Sequence, residues 1–399
     1  MARQALTSER AARFPVGASA TLAELDADPH PLLARLRDQE PVSWLPALDG
    51  WLVTRYDLAL EVMREADTFT VDDPRFSTAR VVGRSMLSLD GSEHARHRGP
   101  FARPFRLDAV RERFTQAVRH EVDALIDVVE HEGEAELRRA LAGPLAVATM
   151  VHALGLEETD PVDALGWYDA IVAEVTRITG GEVPDGVGAG AFAALRQAVE
   201  PALDRDPTTS LVAEAASVAG GLSRADIVSN AAVLLFGGIE TTEGMIANAI
   251  LHVLSTAGAR DTLLSDERLL VTAVEESLRL EPAAAVVDRY ATRDVVLGAA
   301  PIGERELVRV SLAGANRDPA LFPDPDRFDI LRPNAGRQLA FAQGRHVCLG
   351  MHLARLEAQT ALAILLRRLP NLRLDPGRPS EVRGLVFRKP TSLHVVWGD

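Results

Sequence analysis

The stretch from Ala231 to Leu254 constrains this chain more than any other. It is apolar enough to raise the question of a membrane span, yet it carries Glu240, Glu243 and Asn248, and a glycine pair, Gly237 and Gly238. An acidic side chain at the middle of a bilayer-spanning helix costs roughly 3 kcal/mol. The segment therefore reads as a buried helix, and the rest of the chain must surround it. With 399 residues, 47% of them hydrophobic, there is material for a large core, and 25% charged residues argue against wholesale disorder. The balance of 43 basic and 57 acidic residues leaves a net charge of −14. That excludes a general nucleic-acid binder, which needs a basic face for phosphate contacts. The N-terminal MARQALTSERAARF holds no apolar run. No secretory leader and no membrane anchor are expected, and the location implied is cytoplasmic.

Helical periodicity dominates elsewhere. Arg106 to Val129, Glu267 to Leu280 and Gly350 to Leu369 repeat apolar residues at three- and four-residue steps. Strand-like runs are short: Val42 to Trp44, Trp51 to Thr54, Val295 to Leu297, Leu307 to Ser311 and Leu393 to Trp397. The expected fold class is mainly α with small β-sheets, a large helical part beside a smaller β-containing part. Gly180, Gly181, Pro184, Gly186, Gly188 and Gly190 read as a flexible connection. The prolines between Asn316 and Pro333 rule out one regular helix there. No Gly-rich phosphate loop occurs between a strand and a helix, so nucleotide binding has no support.

Cys348 is the only cysteine, which excludes an internal disulfide and a multi-cysteine zinc site. It stands in Phe341-Ala342-Gln343-Gly344-Arg345-His346-Val347-Cys348-Leu349-Gly350, just ahead of a strong helical segment. Backbone N–H groups at a helix start and the adjacent Arg345 and His346 favour a thiolate. Gly344 and Gly350 would let the backbone approach something flat and bulky. Such a thiolate could serve as a nucleophile or as a metal ligand.

The pattern FxxGxHxCxG resembles the haem-binding segment of the cytochrome P-450 family, and other segments agree with it in order along most of the chain. The resemblance implies haem b (iron protoporphyrin IX) with Cys348 as the axial iron ligand. Phe341, Gly344, His346 and Gly350 would belong to the cofactor-binding loop. Glu276 and Arg279 form an ExxR, placed on one helix face by their spacing. The family reading closes this pair with the arginine of Pro325-Asp326-Arg327-Phe328, making Arg327 the third member of a structural network. Gly237-Gly238-Ile239-Glu240-Thr241 matches the oxygen-activation segment. The Thr241 hydroxyl can bond the Gly237 carbonyl and bend the helix. Glu240 and Thr241 are then implied as the catalytic acid–alcohol pair that delivers protons for O–O cleavage. Arg289, His94, Arg98 and His346 are implied as partners of the anionic haem propionates. One departure stands out: Pro100 follows closely on Arg98, and the helix is expected to bend or end there.

The resemblance implies a haem-thiolate monooxygenase, a single P-450 domain over residues 1–399 with no fused reductase or ferredoxin. It would insert one oxygen atom from O2 into a small organic substrate by hydroxylation or epoxidation. Peroxygenase chemistry, oxidative coupling, nitration and a non-catalytic haem sensor are the alternatives, and the Glu240–Thr241 pair favours the O2-dependent route. Electrons would come from a separate ferredoxin and its reductase, docking through Arg103, Arg106, Arg345 and Arg355. A monomer is expected. Substrate would be lined by Phe76, Met86, Leu87, Phe236, Val286, Val287, Val386 and Phe387, an apolar set that points to an apolar substrate. Asp288 is expected to pair with Arg289 or a neighbouring arginine. The glycine-rich connection would belong to a mobile lid.

Overall fold

The computed structural model describes residues 9–208, 210–218 and 221–398; the first eight residues of the N-terminal stretch discussed above lie outside this set. The chain divides into two compact units. One comprises the segment ending at Val71, Arg268–Cys348 and Ser380–Thr391; the other comprises Asp72–Glu267, Leu349–Pro379 and the segment from Ser392 onward.

The first unit is built on a five-stranded sheet, in the order Val42–Leu45, Gly50–Val53, Leu307–Ser311, Val286–Ala291, Phe69–Thr70. The first two strands form a hairpin that sets Trp44 opposite Trp51. Its turn is closed by Asp49 in the left-handed region, φ 48°. Gly50–Val53 then pairs parallel with Leu307–Ser311. Trp51 is fully buried, with Phe14 and Trp44 edge-on at 5.2 and 5.5 Å. The strand Val286–Ala291 is absent from the sequence reading, because Asp288 and Arg289 interrupt its apolar pattern. It forms because Asp288 lies opposite Arg309 and the two make a bidentate pair, Arg309 Nε and Nη2 donating at 2.7 and 2.9 Å. The expected pairing of Asp288 with a neighbouring arginine is thus met across the sheet.

In the second unit the buried segment extends to a helix Arg224–Ser255 of 32 residues, about 48 Å long at 1.5 Å per residue. A capping box between Ser223 and Asp226 starts it. It packs on the helices Gly143–Leu154 and Met351–Arg368, and is apolar on nearly every side because helices cover nearly every side. The helix Leu107–Val129 buries Val110, Phe114, Val118, Val122 and Ile126, the four-residue stripe expected of one covered face. A three-stranded sheet of Glu134–Glu136, His394–Val396 and Arg373–Leu374 also belongs to this unit. Among the described residues, no helix is long and apolar enough to cross a membrane.

Pro100 lies inside the helix Gly91–Ala102, which ends two residues further on; its ring removes the N–H that would bond the Arg96 carbonyl. One local expectation is corrected. The flexible connection shrinks to its first part, because Gly188 and Gly190 lie inside the helix Val187–Ala202. A Cβ at Gly188 would come within 2.7 Å of the Glu174 Cβ, so this glycine serves close packing against the helix Pro161–Thr179.

Candidate active site

In the first unit the Cys348 loop is drawn together by its backbone. Cys348 N–H donates to the Phe341 carbonyl at 2.8 Å and Val347 N–H to Gly344 at 3.2 Å. Ala342 and Gly344 take φ values of 57° and 77°. Cys348 itself is exposed, while Phe341 and His346 are half-buried. At Gly344 a Cβ would run into the Met63 carbonyl oxygen, so this glycine lets the loop press onto the end of the helix Tyr56–Arg64. Gly350 is the N-cap of Met351–Arg368, two residues beyond the cysteine, and a Cβ there would meet only Phe105, at 3.9 Å.

The ExxR pair lies on the helix Leu270–Leu280, with Glu276 and Arg279 both fully buried. Arg279 Nε and Nη2 donate to the Glu276 carboxylate at 2.7 and 2.8 Å, and Nη1 reaches the Pro325 carbonyl at 2.7 Å. The third member is Arg332, which corrects the assignment to Arg327. Arg332 Nε donates to Glu276 Oε1 at 2.9 Å. Its other nitrogens cap the carbonyls of Pro323, Asp324 and Arg327. The Arg327 side chain is 67% exposed and turns to Asp329 at 2.7 Å; only its carbonyl enters the network. Two arginines five residues apart in an irregular loop offer the sequence no periodicity by which to choose between them.

Arg289 is buried on its strand, its Nη1 donating to the Asp288 carbonyl at 2.7 Å. Two of the stretches expected to face substrate meet within this unit: Ala285 N–H donates to Val386 O at 2.8 Å, and Ala284 bridges to Phe387. The hairpin bearing them is anchored by Arg388, whose Nε donates to Glu281 at 2.8 Å while Nη1 bonds the Asp26 carbonyl at 2.9 Å. Burial pushes the Glu281 carboxyl up, but His30, Arg388 and Arg317 outweigh it and hold it down at about 2. Val286 and Val287, as consecutive strand residues, point to opposite faces. Val286 joins the cluster around Leu33 and Leu52, and Val287 the cluster around Trp51 and Phe69. They therefore cannot line one surface together.

In the second unit, Thr241 Oγ donates to the Gly237 carbonyl at 2.6 Å, the bond expected from the spacing. The two glycines beside it divide their roles. A Cβ at Gly237 would meet nothing within 4 Å, so this flank of the long helix is bare. At Gly238 a Cβ would strike the Met150 side chain, so Gly238 allows close packing against Met150. Glu240 is buried and accepts from the Tyr168 hydroxyl, and Glu243 accepts from Arg138 Nε at 2.7 Å. Neither partner was singled out in the sequence, where an isolated tyrosine on an amphipathic helix carries no signal. His94 is buried and Arg98 half-buried on Gly91–Ala102, one turn apart on the same face. Phe236 and Met86 are buried, whereas Phe76 and Leu87 are half-buried. Met86 N–H donates to the Asn230 side chain at 2.8 Å, which ties that loop to the long helix.

A mainly helical architecture, small sheets, a thiol on a tight loop ahead of a helix and a threonine bonded to Gly237 within a long buried helix are the features the resemblance to haem-thiolate proteins implies. The comparisons agree. A cytochrome P450 family profile matches residues 245–391. The chain is 35% identical over 394 residues to cytochrome P450 monooxygenase PikC of Streptomyces venezuelae, covering 93% of this chain and 91% of that protein. It is 34% identical over 384 residues to mycinamicin IV hydroxylase/epoxidase of Micromonospora griseorubida, covering 91% and 94%. The solved structure of CalO2 superposes with a TM-score of 0.86 at 29% identity, covering 95% and 99%. The chain belongs to the cytochrome P450 family, whose members bind haem b through a cysteine thiolate, and it is an oxidoreductase of the monooxygenase class. A small-molecule substrate and an electron-donating redox partner follow from that membership.

The residues present fit haem. Cys348 supplies a soft sulfur donor on an exposed loop, and the buried Arg289 and His94 are of the type that anionic propionates require. The Gly237 flank offers bare backbone of the kind a flat group can approach.

Proposed function

We propose that the Cys348 sulfur would hold the iron of haem b and that Arg289, His346, His94 and Arg98 would hold its propionates, in a single P450 domain. When bound, haem b supplies the activation of O2 and the delivery of one oxygen atom to an organic substrate, with two electrons and two protons consumed. The chain's own part is to hold and move protons and to bind an apolar molecule. The observation that carries this reading is the Thr241 hydroxyl bonded to Gly237 beside the bare glycine flank. It keeps the Thr241 hydroxyl bonded along its own helix, and Glu240, the residue before it, carries an acid on the buried side. Adjacent helical residues point about 100° apart, so the acid and the alcohol face different surroundings.

Phe76, Met86, Leu87, Phe236, Val386 and Phe387 support a largely apolar substrate, hydroxylated or epoxidised. The mycinamicin IV hydroxylase/epoxidase relative supports hydroxylation or epoxidation as the reaction. For the electron donor we propose a ferredoxin with its reductase. An acidic protein could dock through the exposed Arg103, Arg106 and Arg345 and the half-buried Arg355, against a chain of net charge −14. A monomer in the cytoplasm completes the proposal.

The reduced carbon-monoxide difference spectrum tests the ligand. A thiolate-type Soret band is expected in the wild type and its loss in Cys348→Ala; the same band in both would overturn the assignment.

A further inference from the structure

Glu240 does not stand alone on its helix. Tyr168, from the helix Pro161–Thr179, inserts its hydroxyl against Glu240 Oε2, and both side chains are buried. One turn along, Glu243 is engaged by Arg138, so the second acid has a cationic partner of its own. Burial, reinforced by the charges of Glu240 and Glu243, pushes the Tyr168 hydroxyl far above the usual phenol range. Tyr168 thus remains a protonated donor, and its hydroxyl fixes the orientation of the Glu240 carboxylate it touches.

We propose that Tyr168 is a positioning residue for Glu240, its hydroxyl fixing the orientation of the carboxylate from which protons are delivered. This rests on the reading of Glu240 as the proton-relay acid.

The test uses the haem-loaded protein with Tyr168→Phe, Glu240→Gln and the double variant, each checked for folding by far-UV circular dichroism. Infrared difference spectra against Glu240→Gln assign the Glu240 carboxylate band. It should sit where a hydroxyl-bonded carboxylate absorbs in the wild type and shift in Tyr168→Phe. A wild-type band at the position of a water-solvated carboxylate would overturn the latch without recourse to the Phe variant. So would an unshifted band in a folded Tyr168→Phe. Substrate-free oxygen consumption, driven by NADH through a plant-type ferredoxin and its reductase, supplies the second readout. Each single variant is expected to slow it about tenfold, and the double variant no further than Glu240→Gln alone. If Glu240→Gln is silent, the relay reading of Glu240 fails, while the infrared band still decides the latch. If Glu240→Gln slows consumption and Tyr168→Phe does not, the relay stands and the positioning role of Tyr168 is overturned.

Discussion

Replacing Arg332 by alanine should be among the most damaging single changes in the first unit, while Arg327→Ala should be nearly silent. Arg332 is buried and shares the fully buried Glu276 carboxylate with Arg279. Alanine would remove one of the two cations facing that carboxylate and take from the Pro323 carbonyl the bond it accepts, while the Asp324 and Arg327 carbonyls would keep one donor each, Arg327 N–H and Arg279 Nη2. Breaking a buried charge network by removing one partner costs about 3–5 kcal/mol. Arg327 has only the solvent-screened pair with Asp329, worth about 0–1 kcal/mol. Urea unfolding followed by tryptophan fluorescence reads the difference, since Trp44 and Trp51 sit in the core of this same unit. Arg332→Lys should fall between the two, because an ammonium can pair with Glu276 but cannot also fork to the carbonyls. Equal midpoints for Arg332→Ala and Arg327→Ala would refute the network drawn here, as would an Arg332→Ala loss below about 1 kcal/mol.

Two further outcomes are expected. Glu357, on Met351–Arg368, is fully buried; burial, only partly opposed by a hydrogen bond with Thr149, pushes its carboxyl up from 4.5 to about 8. The fold therefore keeps its proton while the unfolded chain loses it, so this group's effect is nil below pH 4.5 and costs stability increasingly between 4.5 and about 8. The total reaches about 5 kcal/mol at most. Glu357→Gln should thus match the wild type in urea midpoint at pH 4.5 and exceed it at pH 8.5; a gap that does not widen with pH would contradict the argument. At the cysteine loop, Gly344→Ala should lower haem content in the purified protein and cost about 2 kcal/mol, for a left-handed φ and a backbone collision. Gly350→Ala should keep its haem, having only an ordinary contact with Phe105.

Much of this architecture was legible before any coordinates. The long buried helix announces itself by length and hydropathy, and the helix Leu107–Val129 by its four-residue stripe, because both depend on local periodicity. The Thr241–Gly237 bond is equally local, fixed by a four-residue spacing on one helix. The cysteine loop is legible because only a few residue types can meet its geometry, and the position of Cys348 needs no tertiary information. Strand Val286–Ala291 was not legible, since its charges are explained only by Arg309 on the neighbouring strand.

What tertiary structure decided are the pairings between segments far apart in the chain. It chose Arg332 over Arg327, placed Tyr168 against Glu240, and packed Gly238 against Met150 and Gly344 against the Met63 carbonyl. It also set Val286 and Val287 on opposite faces. Sequence by itself determined which chemistries this chain can hold, because residue type and local spacing determine donors, acids and helix faces. Which partner each of those groups meets is settled by packing, for a buried charge takes whichever complementary group the fold brings within about 3 Å.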